Sequence, residues 1–513
     1  MMFEGLIQYL AEGISLIISV ETIFSLAVGV FAGVVGGAIP GITGTITMAI
    51  LLPFTWTLSP SAAITMLLGI YCGGQYGGSI PAVLIGAPGT NSAAATVMDG
   101  FPLRNKGFAN KGLLVSLLAS VAGGMGSAVL LILLVLPLAR FALSFGPPEY
   151  AALAIFGLTI IGSLSGKETL KGIMSGAFGL FLATIGVDAF TAQTRFTFGY
   201  LVLLDGVQLL PLMMGVFAVS QMFTQVISTT KGKVQDKIDI NQAKITRNTL
   251  SRDELKTLTI PILIGIVVGT FIGVMPGAGA SIACWVAYSE AKRFSKNKRM
   301  FGKGAIEGVA APEAANNGVT GGALVPLLAL GVPGSSSTAI LVGAFMMHGL
   351  TPGPLLFRDN PALCYSIFIG LFVANLFLLL IGLGAIRISA RVANLSENVL
   401  ISCIFPLLFV GAFAFKGQIF SVGMMLLFGV VGFFMRRYKF MPAATVLGFI
   451  LGFILESNMR RALILSQGSF SIFFTRPISA ALIIVSILSF GFSVYREYKT
   501  KEEEAASEIQ VNN

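Results

Sequence analysis

The chain has 513 residues, of which 55% are hydrophobic and 11% charged, and its formal net charge is +10 at pH 7. A soluble domain carries about 25% charged residues, so this composition excludes an ordinary soluble protein. The basic residues stand in short clusters between apolar stretches, which is typical of cytoplasmic loops rather than of a nucleic-acid-binding face. At about twenty residues per crossing, we predict an all-α integral membrane protein with roughly ten to twelve membrane segments.

The N-terminal part of the chain, for which we predict the boundaries 1–228, begins with an amphipathic pattern. Glu4, Gln8 and Glu12 are four positions apart with apolar residues between them, which predicts a short helix on the membrane surface. An apolar helix then runs from about residue 22 to a break at Pro40. Further apolar spans are predicted at about 113–137, 149–165, 170–187 and 203–227.

Two motifs of this half return later in the same order. GGAIPGITGT at 36–45 matches GVMPGAGAS at 273–281, with Pro276 at an offset of 236 from Pro40. YGGSIPAVLIGAPGTNS at 76–92 matches TGGALVPLLALGVPGSSST at 320–338, with Pro333 at an offset of 245 from Pro88. The two offsets differ by nine residues, which are inserted between the two motifs. The chain therefore contains an internal duplication with one insertion.

The charge pattern predicts the organisation of the remainder. A polar stretch at 229–257 with seven basic residues is predicted to be a cytoplasmic linker, 258–495 a C-terminal repeat, and 496–513 a disordered cytoplasmic tail. If the basic clusters are cytoplasmic, the N-terminus lies outside, the C-terminus inside, and the duplicated units enter the membrane from opposite sides. This predicts two inverted repeats with broken or re-entrant helices and a site near the membrane midplane. Later spans are expected at about 362–386, 396–413, 418–435, 441–457 and 478–495.

Each motif breaks an apolar helix at a Pro-Gly pair, and small hydroxyl or amide side chains follow. Freed backbone groups are tolerated in a membrane only where protein or a water-filled cavity satisfies them. No Lys or Arg occurs in 1–103, 257–291 or 304–357, so an anion there would be held by helix N-termini, amides and hydroxyls. The predicted substrate-binding residues are Pro40, Gly41, Thr43, Gly44, Thr45, Pro88, Gly89, Thr90, Asn91, Ser92, Pro276, Gly277, Gly279, Ser281, Pro333, Gly334, Ser335, Ser336 and Ser337.

An acid lies inside an apolar stretch in APEAANNG at 311–318. Glu313 is ten residues beyond Lys303, the last basic residue of its loop, which places it about 15 Å deep if the chain is helical. An intramembrane acid is costly and indicates function. We predict that Glu313, Asn316 and Asn317 bind a coupling cation, either Na⁺ or H⁺. A neutral Glu313 that is hydrogen-bonded to a neighbouring helix is the structural alternative.

The remaining residues do not indicate a catalytic, redox or metal site. The four cysteines stand singly without the spacing of a metal or redox site, and the single histidine, His348, cannot build a metal cluster or a catalytic triad. We predict no enzymatic activity, no cofactor and no tightly bound metal. Asp99 is expected to pair with Arg104 at the membrane interface, and Glu307 is expected to be a solvated acid near its loop.

The motifs resemble those of one transporter family. The Pro-Gly turn near the N-terminus, YGGS, DGFPLRNKG at 99–107, MPGAGA, APEAANN, PGSSSTA and HGLTPGP at 348–354 are similar in order and spacing to the large membrane subunit of the tripartite tricarboxylate transporter family. The resemblance implies two partners, a small membrane subunit of about four helices and a periplasmic solute-binding protein. It also implies uptake of citrate-like tricarboxylates or related carboxylates driven by an ion gradient.

We therefore predict the substrate-translocating subunit of a bacterial inner-membrane symporter. The alternative is a carboxylate channel or exporter that works without a binding protein. A membrane-embedded transferase is a third possibility, for which only Glu313 offers a candidate general base.

Overall fold

Helices dominate the computed structural model, which describes residues 2–39, 41–142, 144–164, 168–188, 190–230, 250–275, 279–392, 397–488 and 490–491. The predicted all-α class is confirmed. Three predicted site residues lie outside the described residues: Pro40, Pro276 and Gly277. Most of the predicted linker and the whole predicted tail also lie outside them.

The part of the chain before the linker contains the following helices: α1 Met2–Ile18, α2 Val20–Ala38, α3 Gly44–Leu51, α4 Pro60–Gly77, α5 Ser79–Ile85, α6 Ala94–Asn105, α7 Ala109–Ala142, α8 Pro147–Leu164, α9 Thr169–Ala183, α10 Leu209–Met213 and α11 Ser220–Thr230. A short 3₁₀ turn, Asn91–Ala93, leads directly into α6, and a π-helical turn, Met214–Val219, joins α10 to α11. One short hairpin of strands β1 Gly186–Val187 and β2 Thr194–Arg195 lies between α9 and α10.

The part after the linker continues with α12 Arg252–Val274, α13 Gly279–Phe294, α14 Ile306–Leu330, α15 Ser336–Met347, α16 Pro354–Asp359, α17 Pro361–Val392, α18 Glu397–Lys416, α19 Ile419–Arg437, α20 Pro442–Leu465, α21 Ile472–Thr475 and α22 Pro477–Leu488. The predicted span at 441–457 ends eight residues before α20 does. The helix continues through charged residues such as Arg460, at which the prediction ended it.

Within the described ranges, seven helical segments are long and apolar enough to cross a membrane: Val20–Ala38, Ala109–Leu138, Leu209–Ile227, Arg252–Val274, Pro361–Ile386, Ile419–Arg437 and Pro442–Leu465. Shorter apolar helices accompany them, among them Thr169–Ala183, Ser336–Met347 and Ser402–Lys416. The chain is therefore a multi-pass membrane protein, and its helices are broken at the duplicated motifs.

The described chain divides into two compact units. The first combines Met1–Ala139 with Gln221–Gln418, and the second combines Arg140–Ser220 with Ile419–Asn513. The duplicated motifs all belong to the first unit. The boundaries 1–228 and 258–495, which the polar linker between them sets, stay a prediction.

Two glycine-lined helix pairs form the core of the first unit, α2 against α4 and α12 against α14. A Cβ on Gly33 would lie 2.5 Å from the backbone oxygen of Ile70, and a Cβ on Gly269 would meet the backbone oxygen of Ala315. Gly269 follows Gly33 by 236 residues and Ala315 follows Ile70 by 245. A Cβ on Gly37 would likewise meet the Gly74 carbonyl, and the same two offsets lead from this contact to the corresponding one between α12 and α14. Small residues thus permit the same close backbone approach in both copies.

Helix α14 is the central helix of the first unit. Every residue from Glu307 to Ala329 is buried, and the helix has almost no amphipathic character. A helix that is buried on all sides can carry polar side chains only if neighbouring helices supply their partners. The helices that contact it include α4, α6, α12 and α13.

In the second unit, α20 packs against α8 and α9, and an ion-pair cluster holds the β1–β2 hairpin. Asp188 is 3% exposed and accepts hydrogen bonds from the backbone N–H groups of Phe190 and Thr191, both at 2.8 Å. Its other oxygen lies 2.8 Å from the Arg460 guanidinium. The Thr191 N–H, together with the Phe190 N–H and Arg460, holds the pKa of Asp188 well below its usual range.

Candidate functional site

A cavity of about 260 Å³ lies within the first unit, between segments of the two sequence copies. Its wall consists of Thr43, Gly44, Thr45, Tyr71, Gly74, Gln75, Thr90, Asn91, Ser92, Ala280, Ser281, Val319, Ser335, Ser336 and Ser337. None of these residues carries a formal charge, and most offer a hydroxyl or an amide. The cavity is of a size that suits a small polar molecule.

Four helix N-termini contribute to this wall. Thr43 is the N-cap of α3, and its side chain accepts a hydrogen bond from the backbone N–H of Ile46. Ser335 is the N-cap of α15 and forms a capping box with Thr338. The wall also includes the first turn of α13 and the turn Asn91–Ala93 that begins α6. Helix N-termini carry about half a positive charge each, and they favour an anion without a cationic side chain.

The wall follows the duplication. Twelve of its fifteen residues form six pairs related by the offsets 236 and 245: Gly44 with Ala280, Thr45 with Ser281, Gly74 with Val319, Thr90 with Ser335, Asn91 with Ser336, and Ser92 with Ser337. The two copies also touch directly, because the hydroxyl groups of Thr45 and Ser337 are 2.8 Å apart. The cavity is therefore lined by corresponding segments of both copies.

Ten of the predicted substrate-binding residues line this cavity: Thr43, Gly44, Thr45, Thr90, Asn91, Ser92, Ser281, Ser335, Ser336 and Ser337. The remaining described ones do not: Gly41, Pro88, Gly89, Gly279, Pro333 and Gly334. Pro88-Gly89 and Pro333-Gly334 lie in the non-helical segments that directly precede the wall residues Thr90 and Ser335. The Gly89 N–H donates to the Gly78 carbonyl at 3.0 Å, and Gly41 has a φ of +84° that favours glycine.

Glu313 is fully buried on α14 and is surrounded by hydroxyl groups from three helices. Ser79 of α5 donates to one carboxylate oxygen at 2.6 Å, and Thr96 of α6 donates to the same oxygen. Ser120 of α7 donates to the other oxygen at 3.1 Å. The described residues place no basic side chain in contact with this carboxylate, so only hydroxyl dipoles compensate its burial.

The two predicted asparagines have different environments. The Asn316 amide nitrogen donates to the backbone carbonyl of Gln75 at 3.1 Å, while its carbonyl oxygen has no hydrogen-bond partner in the described part of the chain. Asn317 is fully buried, and neither polar atom of its side chain has such a partner there. Oxygens of this kind are suitable ligands for a small cation or for water.

Two short stretches of the chain connect the cavity wall to Glu313. Gln75 and Ser92 line the cavity, and the Ser92 hydroxyl donates to the Gln75 side-chain oxygen at 3.5 Å. Ser79 and Thr96 lie four residues further along the chain, and both donate to Glu313. Along each stretch, the residue that binds the carboxylate therefore lies about one helical turn from the residue that lines the cavity.

Two expectations about acids are wrong. Asp99 does not pair with Arg104 but is fully buried, accepting from the backbone N–H groups of Gly304 and Ala305, both at 2.8 Å, and from the Tyr288 hydroxyl at 2.9 Å. Asp99 therefore supplies the acceptor for two buried N–H groups that directly precede α14.

Glu307 is likewise buried rather than solvated. Both of its oxygens accept from the Ser295 hydroxyl, at 2.9 and 3.0 Å.

Sequence patterns do not reveal the wall residues Tyr71 and Gln75. Both stand in the apolar helix α4, outside the repeated Pro-Gly segments. The one available signal is that Gln75 directly precedes the YGGS segment, as a polar residue in an otherwise apolar helix. That signal becomes informative only when the helix is seen to face a cavity.

Seven long apolar helices, helix breaks around a hydroxyl-lined cavity and a buried acid beside it define a membrane transport protein of the broken-helix type. The chain belongs to the tripartite tricarboxylate transporter TctA family, whose model matches residues 23–447. The resemblance found in the sequence motifs is thereby confirmed. Members of this family are membrane components of tripartite tricarboxylate transporters.

Two relatives from Agrobacterium vitis are similar over long stretches. One, described as an uncharacterized 52.8 kDa protein in the TAR-I ttuC′ 3′ region, is 36% identical over 500 residues, which cover 97% of this chain and 98% of the relative. The other, described as an uncharacterized protein in the TAR-II ttuC′ 3′ region, is 35% identical over 236 residues, which cover 46% of this chain and 98% of the relative. No solved structure matches the chain.

Proposed function

We propose that this chain is the substrate-translocating subunit of a binding-protein-dependent symporter for citrate or related carboxylates. The observation that carries the proposal is the cavity, in which four helix N-termini and a ring of hydroxyl and amide groups meet without any charged side chain. Dipoles and hydroxyls hold a carboxylate strongly enough to select it and weakly enough to release it, which a transport site requires.

Glu313, Asn316 and Asn317 carry the coupling cation, Na⁺ or H⁺, in this proposal. A cation beside Glu313 neutralises a carboxylate that is otherwise buried among hydroxyl groups. Because Ser79 and Thr96 stand one turn from the cavity residues Gln75 and Ser92, occupancy at Glu313 changes the cavity wall. Substrate and cation are thereby coupled through shared helices.

The proposal includes two partners and an orientation. A small membrane subunit of about four helices and a periplasmic solute-binding protein complete the transporter in the bacterial inner membrane. The two duplicated units are inverted repeats, the N-terminus is periplasmic and the C-terminus is cytoplasmic. The matching glycine contacts of α2–α4 and α12–α14 support a structural duplication on which such an arrangement is built.

The test is uptake of radiolabelled citrate and other tri- and dicarboxylates into proteoliposomes that contain this chain, its small subunit and the binding protein. Each component is omitted in turn, and Na⁺ and pH gradients are imposed separately. We expect accumulation only with all three components and with one of the gradients. Gradient-independent flux without the binding protein would replace the symporter by the channel alternative.

Variants locate the ion and substrate sites in the same assay. Glu313→Gln is expected to abolish accumulation driven by the gradient, and Ser336→Ala is expected to reduce the apparent affinity for the carboxylate. Glu307→Gln is the matched control, since Glu307 is also a buried acid of α14 but accepts hydrogen bonds from Ser295 instead of from the hydroxyl groups around Glu313. If Glu313→Gln and Ser336→Ala both left uptake and its ion dependence untouched, the site assignment would be wrong.

A further inference from the structure

Three residues of the cavity wall depart from the correspondence between the two copies. Thr43, Tyr71 and Gln75 all belong to the first copy, and the residues at the corresponding positions of the second copy are not part of the wall. Since all other wall residues form corresponding pairs of small groups, the larger polar side chains of Tyr71 and Gln75 make one side of the cavity different from the other.

Two of the corresponding residues in the second copy are buried and hydrogen-bonded away from the cavity. Asn316, which corresponds to Tyr71, is fully buried and donates to the backbone carbonyl of Gln75 at 3.1 Å. Thr320, which corresponds to Gln75, is fully buried and donates to the Asn317 carbonyl at 2.6 Å. The asymmetry is therefore part of the packing of α14 against α4.

Gln75 is held in place from several directions. Asn316 binds its backbone carbonyl, and the Ser92 hydroxyl donates to its side-chain oxygen at 3.5 Å. Tyr71 lines the same cavity one helical turn before Gln75 on α4. A carboxamide that is positioned before the ligand arrives loses little entropy on binding it, which makes it suited to discrimination.

The chemistry of this side differs from that of the helix N-termini. Helix N-termini and capped hydroxyls offer donors and positive potential, which suit carboxylate oxygens. Gln75 offers an acceptor oxygen next to donor N–H groups, and Tyr71 offers a hydroxyl that both donates and accepts. The acceptor oxygen of Gln75 disfavours a carboxylate of the substrate. A neutral hydroxyl group of the substrate can donate to this oxygen and accept from the neighbouring N–H groups.

We infer that Gln75 and Tyr71 are specificity-determining residues which select carboxylates that carry a hydroxyl group on the carbon chain. The inference rests on the proposed function and names a substrate class within it. The carboxylates of the substrate lie against the helix N-termini, and its hydroxyl lies against the side formed by Gln75 and Tyr71.

Two matched pairs of acids test the inference in the reconstituted transporter. Citrate is compared with tricarballylate, which has hydrogen in place of the hydroxyl group, and malate is compared with succinate. Because one hydrogen bond distinguishes the members of each pair, we expect the hydroxylated acid to be preferred by about three- to tenfold in kcat/KM. The difference is expected mainly in KM.

Two variants remove polar groups from the side of the cavity formed by Gln75 and Tyr71, and both leave the helix N-termini intact. Gln75→Leu keeps the approximate volume, Tyr71→Phe removes one oxygen, and both are expected to bring the ratio between the paired acids to about one. Ser336→Ala is the control, which is expected to weaken both members of a pair equally. Size-exclusion profiles and melting temperatures of the purified variants separate misfolding from altered selection.

Each outcome decides the inference. Equal uptake of the paired acids by the wild-type transporter overturns it, as does an unchanged ratio in both Gln75→Leu and Tyr71→Phe, and in either case the proposed transport function stands. Failure to take up any of the four acids, with all three components present and both gradients imposed, removes the proposed function and the inference together.

Discussion

The hydroxyl groups of Thr45 and Ser337 are 2.8 Å apart although 292 positions separate them in the chain. Each belongs to a helix N-terminal segment of one sequence copy, α3 for Thr45 and α15 for Ser337. The contact joins the two copies at the cavity wall. By the offsets of the duplication, its counterpart would join Ser281 to Ser92, which also line the cavity.

A double-mutant cycle measures this contact. Thr45→Val and Ser337→Ala are each expected to lower the thermal stability of the purified protein, and the double variant is expected to be less destabilised than the sum. One hydrogen bond corresponds to a coupling energy of about 0.5–1.5 kcal/mol. Thr57→Val, which removes an exposed hydroxyl that donates to the nearby Phe54 carbonyl, is the control partner. Additivity of Thr45→Val and Ser337→Ala would argue against a direct contact.

An added negative charge tests whether the cavity binds an anion. Asn91→Asp is nearly isosteric, and at an effective dielectric constant of about 20 a carboxylate about 6 Å away is repelled by about 3 kcal/mol. Because solvent reaches Asn91, we expect a smaller effect, a rise of about tenfold in the KM for citrate uptake. Asn91→Gln retains neutrality and is expected to change KM by less than about threefold. An unchanged KM in Asn91→Asp would place the substrate elsewhere.

Gly33 and Gly269 test whether the two helix pairs are equivalent. A Cβ at either position meets a backbone carbonyl, which cannot rotate away as a side chain can. We expect Gly33→Ala and Gly269→Ala to destabilise the protein to a similar extent, by about 1–3 kcal/mol. Gly384→Ala is the control, since a Cβ there has nothing within 4 Å. Chemical unfolding in detergent is the measurement, and tolerance of either alanine would contradict the close approach.

Asp99 binds the backbone of the two residues that directly precede α14. Asp99→Ala leaves the backbone N–H groups of Gly304 and Ala305 without their acceptor in a buried place, which is expected to cost about 1–3 kcal/mol. Asp359→Asn is the control, because its half-exposed carboxylate pairs with the neighbouring Arg358 near the surface. Melting temperatures are compared at neutral pH. Equal effects of the two substitutions would show that the Asp99 hydrogen bonds stabilise the protein no more than an exposed ion pair does.

The pH dependence of stability follows from Asp188. Its pKa is held below the usual value by the Thr191 and Phe190 N–H groups and by Arg460, so its contribution is present above the unfolded-state pKa, about 3.9. The contribution is lost as pH falls through the folded-state pKa. We expect Asp188→Asn to lower stability at pH 7 and to flatten the decline below about pH 4.

Unfolding of the purified protein between pH 7 and pH 2 checks this prediction. Asp359→Asn is again the comparison, since its exposed ion pair contributes little. A decline in Asp188→Asn as steep as that of the wild-type protein would assign the pH dependence to other acids.

The sequence by itself determined the membrane class, the duplication, the helix breaks and ten of the fifteen residues that line the cavity. These follow from local rules, because apolar length specifies a span, Pro-Gly breaks a helix, and hydroxyl residues after the break cap the next one. The four-residue spacing of Gly29, Gly33 and Gly37 in α2 is typical of a close packing face, and the contact of Gly33 with the Ile70 carbonyl agrees with it.

Only the tertiary structure decided which polar groups meet. Glu313 was visible as an intramembrane acid, but its partners Ser79, Thr96 and Ser120 come from three helices whose approach no local pattern specifies. Asp99 looked like a partner for the nearby Arg104, whereas folding brings it to the N-terminus of α14, more than two hundred residues away. Helix propensity and hydrophobic periodicity describe one segment at a time, while a buried polar group is satisfied by whatever the packing of other segments brings within hydrogen-bond distance.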